Sequence, residues 1–311
     1  MRLSVQLVAL WLILLSVLPS LGVAAPYQLK FRSSYTLPQA IINDIKIMEL
    51  SGLAWDEDEQ ILYAISDRGG RLFHLKLQLA SNEIQDIQPL YATLLKKTNG
   101  KRLKHIDAEG LTVLNANNGK HGDTELVIAT EGEVQLLRFT PDGILKSKLP
   151  LPKDLRDLAA YHGYNQALES VDYHPRFGFI TAPEFPLKTQ IEPASFHTLY
   201  SQKRNWVFPS HPVNNSGISA LEVLPDGNIL VLERAWSGVF NPLTISLRYV
   251  DIMGCVPQRI CTVDDLKVTS NYLVVDNFEG LTHIQGKQYL MVSDDGDNSF
   301  QRTQFILFTL E

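Results

Sequence analysis

The chain has 311 residues, 45% of them hydrophobic, and carries 28 Lys and Arg against 34 Asp and Glu for a formal net charge of −6. A chain of this length and apolar content can bury a large core, as one big all-β domain or two smaller ones. The acidic balance argues against nucleic acid as a partner, because non-specific binding there needs a basic face.

Met1-Arg2 is a short positive start, and Val5 to Leu18 is almost continuously apolar. Gly22-Val23-Ala24 then places small residues where a signal peptide is cut, so cleavage is expected after Ala24. The alternative is an uncleaved anchor, since the apolar run falls just short of the ~18 residues a spanning helix wants. No other segment approaches that length. Residues 25–311 are therefore expected as one exported domain, periplasmic or secreted, off the membrane and monomeric.

Tyr27 to Leu37 alternates apolar and polar residues and reads as a strand. Four-strand groups then follow. The first is Gly52–Trp55, Ile61–Ser66, Leu72–Leu77 and Ile87–Leu94. The second is Leu111–Leu114, Leu126–Thr130, Val134–Phe139 and Ile144–Leu149, with Thr140-Pro141-Asp142-Gly143 as a turn. Asp154–Asn165 reads as a short helix or loop over one face. The third group is Ser170–Tyr173, Phe177–Thr181 and two weaker strands near His197–Tyr200 and Trp206–Phe208. The fourth is Leu221–Leu224, Ile229–Glu233, Thr244–Val250 and Leu273–Val275. Within it Cys255 and Cys261 form a closely spaced pair, expected as a disulfide in an exported protein. The fifth has Leu281–Ile284, Tyr289–Ser293 and Thr303–Leu310, one strand short, and Tyr27–Leu37 is its natural donor.

Underneath this order lies a repeat. An inner strand begins at positions 51, 109, 169, 219 and 279, and a second apolar strand ends in an acid 16, 22, 15, 14 and 15 residues later. Recurrence at this period, with several strands per unit, is the signature of a β-propeller. Five blades are counted, and six are possible if Pro242–Val275 hides another. The N-terminal strand would close the last blade and remove the exposed edges.

A repeat that returns an acid to the same place in sequence should return it to the same place around the channel. The opening acids are Glu109, Glu169 and Glu279; the closing acids are Asp67, Glu131, Glu184, Glu233 and Asp294, with Asp295 adjacent. So many carboxylates together cannot all ionise unless cations or paired basic residues intervene. Oxygen-rich sites of this kind suit Ca²⁺. Arg68 and Arg234 each follow a closing acid, and Lys104 and His105 precede Asp107, so these are expected to hold an anionic substrate. The acids can equally be structural, each accepting bonds from the neighbouring blade. Asp294-Asp295-Gly296-Asp297-Asn298 resembles part of a calcium loop, but its Gly comes early and no Glu closes it. No nucleophile-elbow serine, His-Glu zinc motif or Walker motif occurs.

Asp107-Ala108-Glu109-Gly110-Leu111 resembles the D-x-E-G element of the phytase-like family, described by the esterase-like activity of phytase. Ser51-Gly52-Leu53-Ala54 with Ser66-Asp67-Arg68, Leu232-Glu233-Arg234 and Ser293-Asp294-Asp295 fit the same pattern in order. Leu149-Pro150-Leu151-Pro152 followed by Asn165 and Leu168-Glu169 resembles a further element, although Gly and Phe more often precede that Glu in the family. The resemblance implies an exported propeller hydrolysing phosphoric or other esters. It also implies Ca²⁺ that holds phosphate and activates water, with Glu109, Glu169 and Glu279 catalytic. The alternative is a non-catalytic propeller that binds a ligand or protein partner.

Overall fold

Each of the five repeats folds into an antiparallel four-stranded sheet. The computed structural model describes residues 26–163, 166–190, 195–236, 238, 242–271, 276–296 and 302–311. The expected signal peptide, Asn165, Leu273–Val275, Asp297 and Asn298 lie outside the described residues.

Strand β1 (Leu29–Thr36) comes first, and a small hairpin of β2 (Ile41–Ile42) and β3 (Ile45–Lys46) leads into the ring. Blade 1 is β4 (Leu50–Asp56), β5 (Ile61–Ser66), β6 (Arg71–Ala80) and β7 (Glu83–Leu94). Blade 2 is β8 (Ala108–Leu114), β9 (Glu125–Thr130), β10 (Gln135–Phe139) and β11 (Leu145–Leu149). Blade 3 is β12 (Leu168–His174), β13 (Gly178–Pro183), β14 (Phe196–Ser201) and β15 (Asn205–Pro209). Blade 4 is β16 (Ser216–Val223), β17 (Ile229–Ala235), β18 (Leu243–Val250) and β19 (Val263–Asn271). Blade 5 is β20 (Asn277–Gln285), β21 (Gln288–Asp294) and β22 (Gln304–Leu310), with β1 as its outer strand. Two short 3₁₀ turns, Lys153–Leu155 and Leu158–Ala160, occupy the stretch read as a helix or loop.

The first strand of every blade lies innermost, and each inner strand packs against the next, β20 closing on β4. The ring is sealed by β1, which pairs with β22 from Leu29↔Leu310 to Thr36↔Gln304. The hydrophobic core is divided into five wedges, one between each pair of adjacent blades. Both faces of the inner strands are therefore covered, which is why Leu62-Tyr63-Ala64-Ile65 and Leu126-Val127-Ile128-Ala129 are apolar at every position. The outer strand β1 lies at the rim and has no fully buried residue, with Phe31 exposed beside a bulge between Phe31 and Ser33.

One strand expectation is corrected. The outer strand of blade 4 is Val263–Asn271, paired along the length of β18, whereas the expected Leu273–Val275 lies outside the described residues. Its sequence is mostly polar because the strand lies at the rim, so it carries little apolar signal. This strand also fills the gap that left room for a sixth blade. The disulfide Cys255–Cys261, with Cα atoms 5.1 Å apart, closes the loop between β18 and β19. That loop docks on blade 3, where Cys261 N–H donates to the Val207 carbonyl at 2.7 Å.

Candidate functional site

The inner strands share one irregularity. Pairing shifts register between Leu50 and Gly52, Ala108 and Gly110, Leu168 and Ser170, Ile218 and Ala220, and Phe278 and Gly280. The residue within each bulge is the opening position: Ser51, Glu109, Glu169, Ser219 or Glu279. A bulge re-aims its side chain off the regular alternation, and all five line the axis. The following residue must be small, because neighbouring inner strands nearly touch there. A Cβ on Gly110 would lie 2.7 Å from Ser170 Cα. Ser51 Oγ donates to the Ala108 carbonyl at 2.5 Å and Ser219 Oγ to the Phe278 carbonyl at 3.2 Å, stitching blade 1 to 2 and blade 4 to 5. Only about 10 Å³ remains open along the axis, room for roughly one water.

The closing positions follow from the same pairing. Leu50↔Ser66, Ala108↔Thr130, Leu168↔Pro183, Ile218↔Glu233 and Phe278↔Ser293 are equivalent in the five blades. One residue further on, the second strands present Asp67, Glu131, Glu184, Arg234 and Asp294. The blade-4 member of the ring is thus Arg234, and the placement of Glu233 among the ring acids is corrected. Side chains alternate along a strand, so a slip of one residue sends Glu233 to the opposite face.

Eight carboxyls therefore gather at one mouth around Arg234: Asp67, Asp107, Glu109, Glu131, Glu169, Glu184, Glu279 and Asp294. Two groups bring carboxylate oxygens within 4.8 Å of one another, Asp67 with Asp107 and Glu109, and Glu131 with Glu169 and Glu184. Burial, followed by the charges of Glu279 and Glu131, pushes Glu109 well above the usual carboxylate range. Burial and the Glu109 and Glu131 charges do the same to Glu169. Asp67 is raised to about 7 by burial and by Asp294 and Glu49, and burial raises Glu131 to about 7. Glu279 is raised to about 8 by burial, which outweighs the opposing effect of Arg234. Asp107 is raised by burial, like its neighbours. Carboxyls this close oppose one another's ionisation.

These residues fit a hard divalent cation. The donors are all oxygen, three carboxylates to a group, which is the set Ca²⁺ takes. Asp67 Oδ1 is buried and accepts no hydrogen bond from the described residues.

Arg234 donates to Glu279 at 2.7 Å and Glu184 at 3.1 Å, reaching the blades on both sides, and to Asn277 at 2.9 Å. Arg68 lies at the edge of the mouth and pairs with Glu49 at 2.6 Å. Asp295 is not in either oxygen group; it accepts from Glu49 N–H at 2.9 Å and Thr303 Oγ1 at 3.0 Å, tying blade 5 to blade 1. Lys104 and His105 line a cleft of about 620 Å³ on blades 1 and 2, together with Lys97, Lys101, Arg102 and Asp107. A second cleft, about 1170 Å³, opens over blades 3 and 4 with Glu184 and Arg234 in its wall. Asp107 and Glu184 thus link one oxygen group to each cleft.

Glu233 forms a separate buried hub. It accepts from Arg248 Nη1, His211 N–H and Ser216 Oγ, the first at 2.7 Å and the others at 2.8 Å, and His197 Nε2 lies 3.5 Å away. Arg248 also binds Asp265 at 2.6 Å and the Pro209 carbonyl at 2.7 Å. Burial alone would raise Glu233, but His197, Arg248 and the His211 N–H outweigh it and hold the carboxyl down at about 2. The hub fastens the segment from Pro209 to Ser216, one wall of the larger cleft.

Sequence reasoning did not place Asp107 among the clustered acids, although the D-x-E-G element contained it. It also missed the hub, whose partners sit on four different segments with no common spacing.

A search of solved structures finds propellers of distant sequence. An aldose sugar dehydrogenase from Streptomyces coelicolor in its PQQ-bound form is 8% identical over 93% of this chain and 100% of its own, with a TM-score of 0.47. A gluconolactonase from Xanthomonas campestris is 13% identical over 89% of each chain, TM-score 0.42. A luciferin-regenerating enzyme is 11% identical over 89% of this chain and 94% of its own, TM-score 0.39. Likeness this remote says nothing about chemistry. Comparison with curated proteins finds no match by sequence. The family model described as esterase-like activity of phytase matches residues 45–297, and the chain belongs to this phytase-like family.

Proposed function

We propose that the protein is an exported, divalent-cation-dependent hydrolase of phosphoric or related esters, with Ca²⁺ as the ion. The observation that carries this reading is the imbalance at the mouth: eight carboxyls converge there, six of them in two groups with oxygens within 4.8 Å, and Arg234 is the one cation within the ring positions. The apolar start before Ala24 and the disulfide support export.

Asp67, Asp107 and Glu109 would hold one ion, and Glu131, Glu169 and Glu184 a second or the same one. When bound, the ion supplies Lewis-acid polarisation and lowers the pKa of its water. Lys104 and His105 orient the anionic group from the basic cleft. Arg234 fixes Glu279 and Glu184 between neighbouring blades. Glu279, outside both oxygen groups and raised to about 8, holds a proton at neutral pH that it can exchange with a leaving oxygen.

The test is turnover of para-nitrophenyl phosphate and acetate with Ca²⁺ and with chelator. Metal-dependent turnover, lost in Glu109→Gln with the fold intact, is the expected result. Turnover indifferent to chelator and to Glu109→Gln would end the metal reading. A second reading, a non-catalytic propeller, draws on the Arg234 bridges, which join blades 3, 4 and 5 without any ligand. It predicts melting insensitive to Ca²⁺ and no turnover of either ester.

A further inference from the structure

The two clefts beside the mouth differ in chemistry. The smaller is lined by Lys97, Lys101, Arg102, Lys104 and His105, with only Asp107 and Glu133 as acids. The larger has Lys188 and Arg234 as its cations, and Arg234 is already engaged by Glu184 and Glu279. A polyanion is therefore favoured in the first and poorly matched in the second. An uncharged body suits the second.

What lines the larger cleft narrows that body further. Trp236 is 58% exposed, whereas Trp206 is 1% exposed in the core between blades 3 and 4. Trp236 follows β17 directly, two residues beyond Arg234, and both line the same cleft. Its carbonyl accepts from Asn215 Nδ2 at 3.4 Å, at the end of the β16–β17 pair. Polar, uncharged groups line the same cleft, among them Gln166 and Ser210. A flat aromatic surface beside amides and hydroxyls offers an apolar face together with paired donors and acceptors. A ring that is apolar across its C–H face and carries hydroxyls around its edge matches both. The space, about 1170 Å³, is ample for a ligand of that size.

We propose that this cleft binds the uncharged organic part of the substrate, and that this part is a polyhydroxylated ring of the sugar type, stacked on Trp236. The proposal rests on the reading of the mouth as an ester-hydrolysing centre, which places the scissile group between the two clefts. A sugar monoester would then be preferred over a polyphosphate, whose further charges find no partner around Trp236.

Binding can be tested without turnover. Saturation-transfer NMR on the full exported chain, with methyl α-glucoside as a neutral probe and with inositol hexakisphosphate, reads the cleft directly. Saturable binding of the glucoside is expected, weakened about tenfold in Trp236→Ala, the loss of roughly one stacking contact. Gln166→Ala should weaken it too, while Lys104→Ala leaves it unchanged, and the hexakisphosphate should not displace the sugar. No saturable binding, or binding equally strong in Trp236→Ala and Gln166→Ala, would overturn the proposal. Calcium calorimetry on the same samples separates the readings: lost sugar binding with intact Ca²⁺ binding rejects the cleft assignment alone.

Discussion

Arg234 on blade 4 donates to Glu279 on blade 5 at 2.7 Å, the one cation among five equivalent closing positions and the one direct countercharge for a ring glutamate. The same guanidinium reaches Glu184 on blade 3, so three blades meet at one side chain. Arg234→Met would leave the buried carboxyls of Glu184 and Glu279 without the guanidinium that bridges them. Breaking a buried pair costs about 3 kcal/mol or more. Urea unfolding in chelator should show that loss, and added Ca²⁺ should recover part of it.

Glu109→Gln should do the reverse. It removes a buried acid whose ionisation burial, Glu279, Glu131, Asp107 and Asp67 all oppose, and leaves the bulge geometry in place. Melting in chelator should rise by a few degrees, while Ca²⁺ affinity falls by at least about tenfold (roughly 1.4 kcal/mol). Stability gained where function is lost is the expected behaviour of a strained site.

Stability without cation should depend on pH in a definite direction. Asp67 and Glu131 are raised to about 7 and Glu279 to about 8, so the folded state holds protons that the unfolded chain has already released. Their contribution is fully present below the ordinary carboxylate range and is lost as pH rises through 7 and 8. Melting in chelator should therefore be higher at pH 5 than at pH 8. Saturating Ca²⁺ should flatten the difference, because the ion favours the deprotonated groups.

Glu233 has the opposite sign. Its carboxyl is held at about 2, so its stabilisation is present above the ordinary range and disappears as pH falls towards 2. Glu233→Gln should cost about 3 kcal/mol near neutral pH and remove the acid-labile part of the unfolding curve, as Arg248 loses its buried partner. A pH series of urea unfolding curves for both proteins measures this.

The propeller was legible because the inner strands are buried on both faces and each repeats a small residue where the strands nearly touch. The outer strand of blade 4 was not, since a half-exposed rim strand carries polar residues such as Asp264, Asp265 and Lys267. At the mouth, Glu109, Glu169 and Glu279 could be read from the recurrence. Glu233 was misread for Arg234 because hairpin length varies, and offset alone cannot detect a slip of one residue. Only pairing register distinguishes them. The hub of Glu233, Arg248, His197 and His211 depends on contacts between segments far apart in the chain, and no local pattern announces it.

The most direct measurement is a calorimetric titration of Ca²⁺ into the chain from Ala25 onward at pH 7, in two buffers of different ionisation enthalpy. It reads affinity and protons released together. Carboxyls raised as far as Asp67 and Glu131 predict saturable binding that expels at least one proton, with both signals reduced in Glu109→Gln. No heat beyond dilution and no proton release would contradict the account, and would leave the carboxyl ring as a structural feature of the propeller.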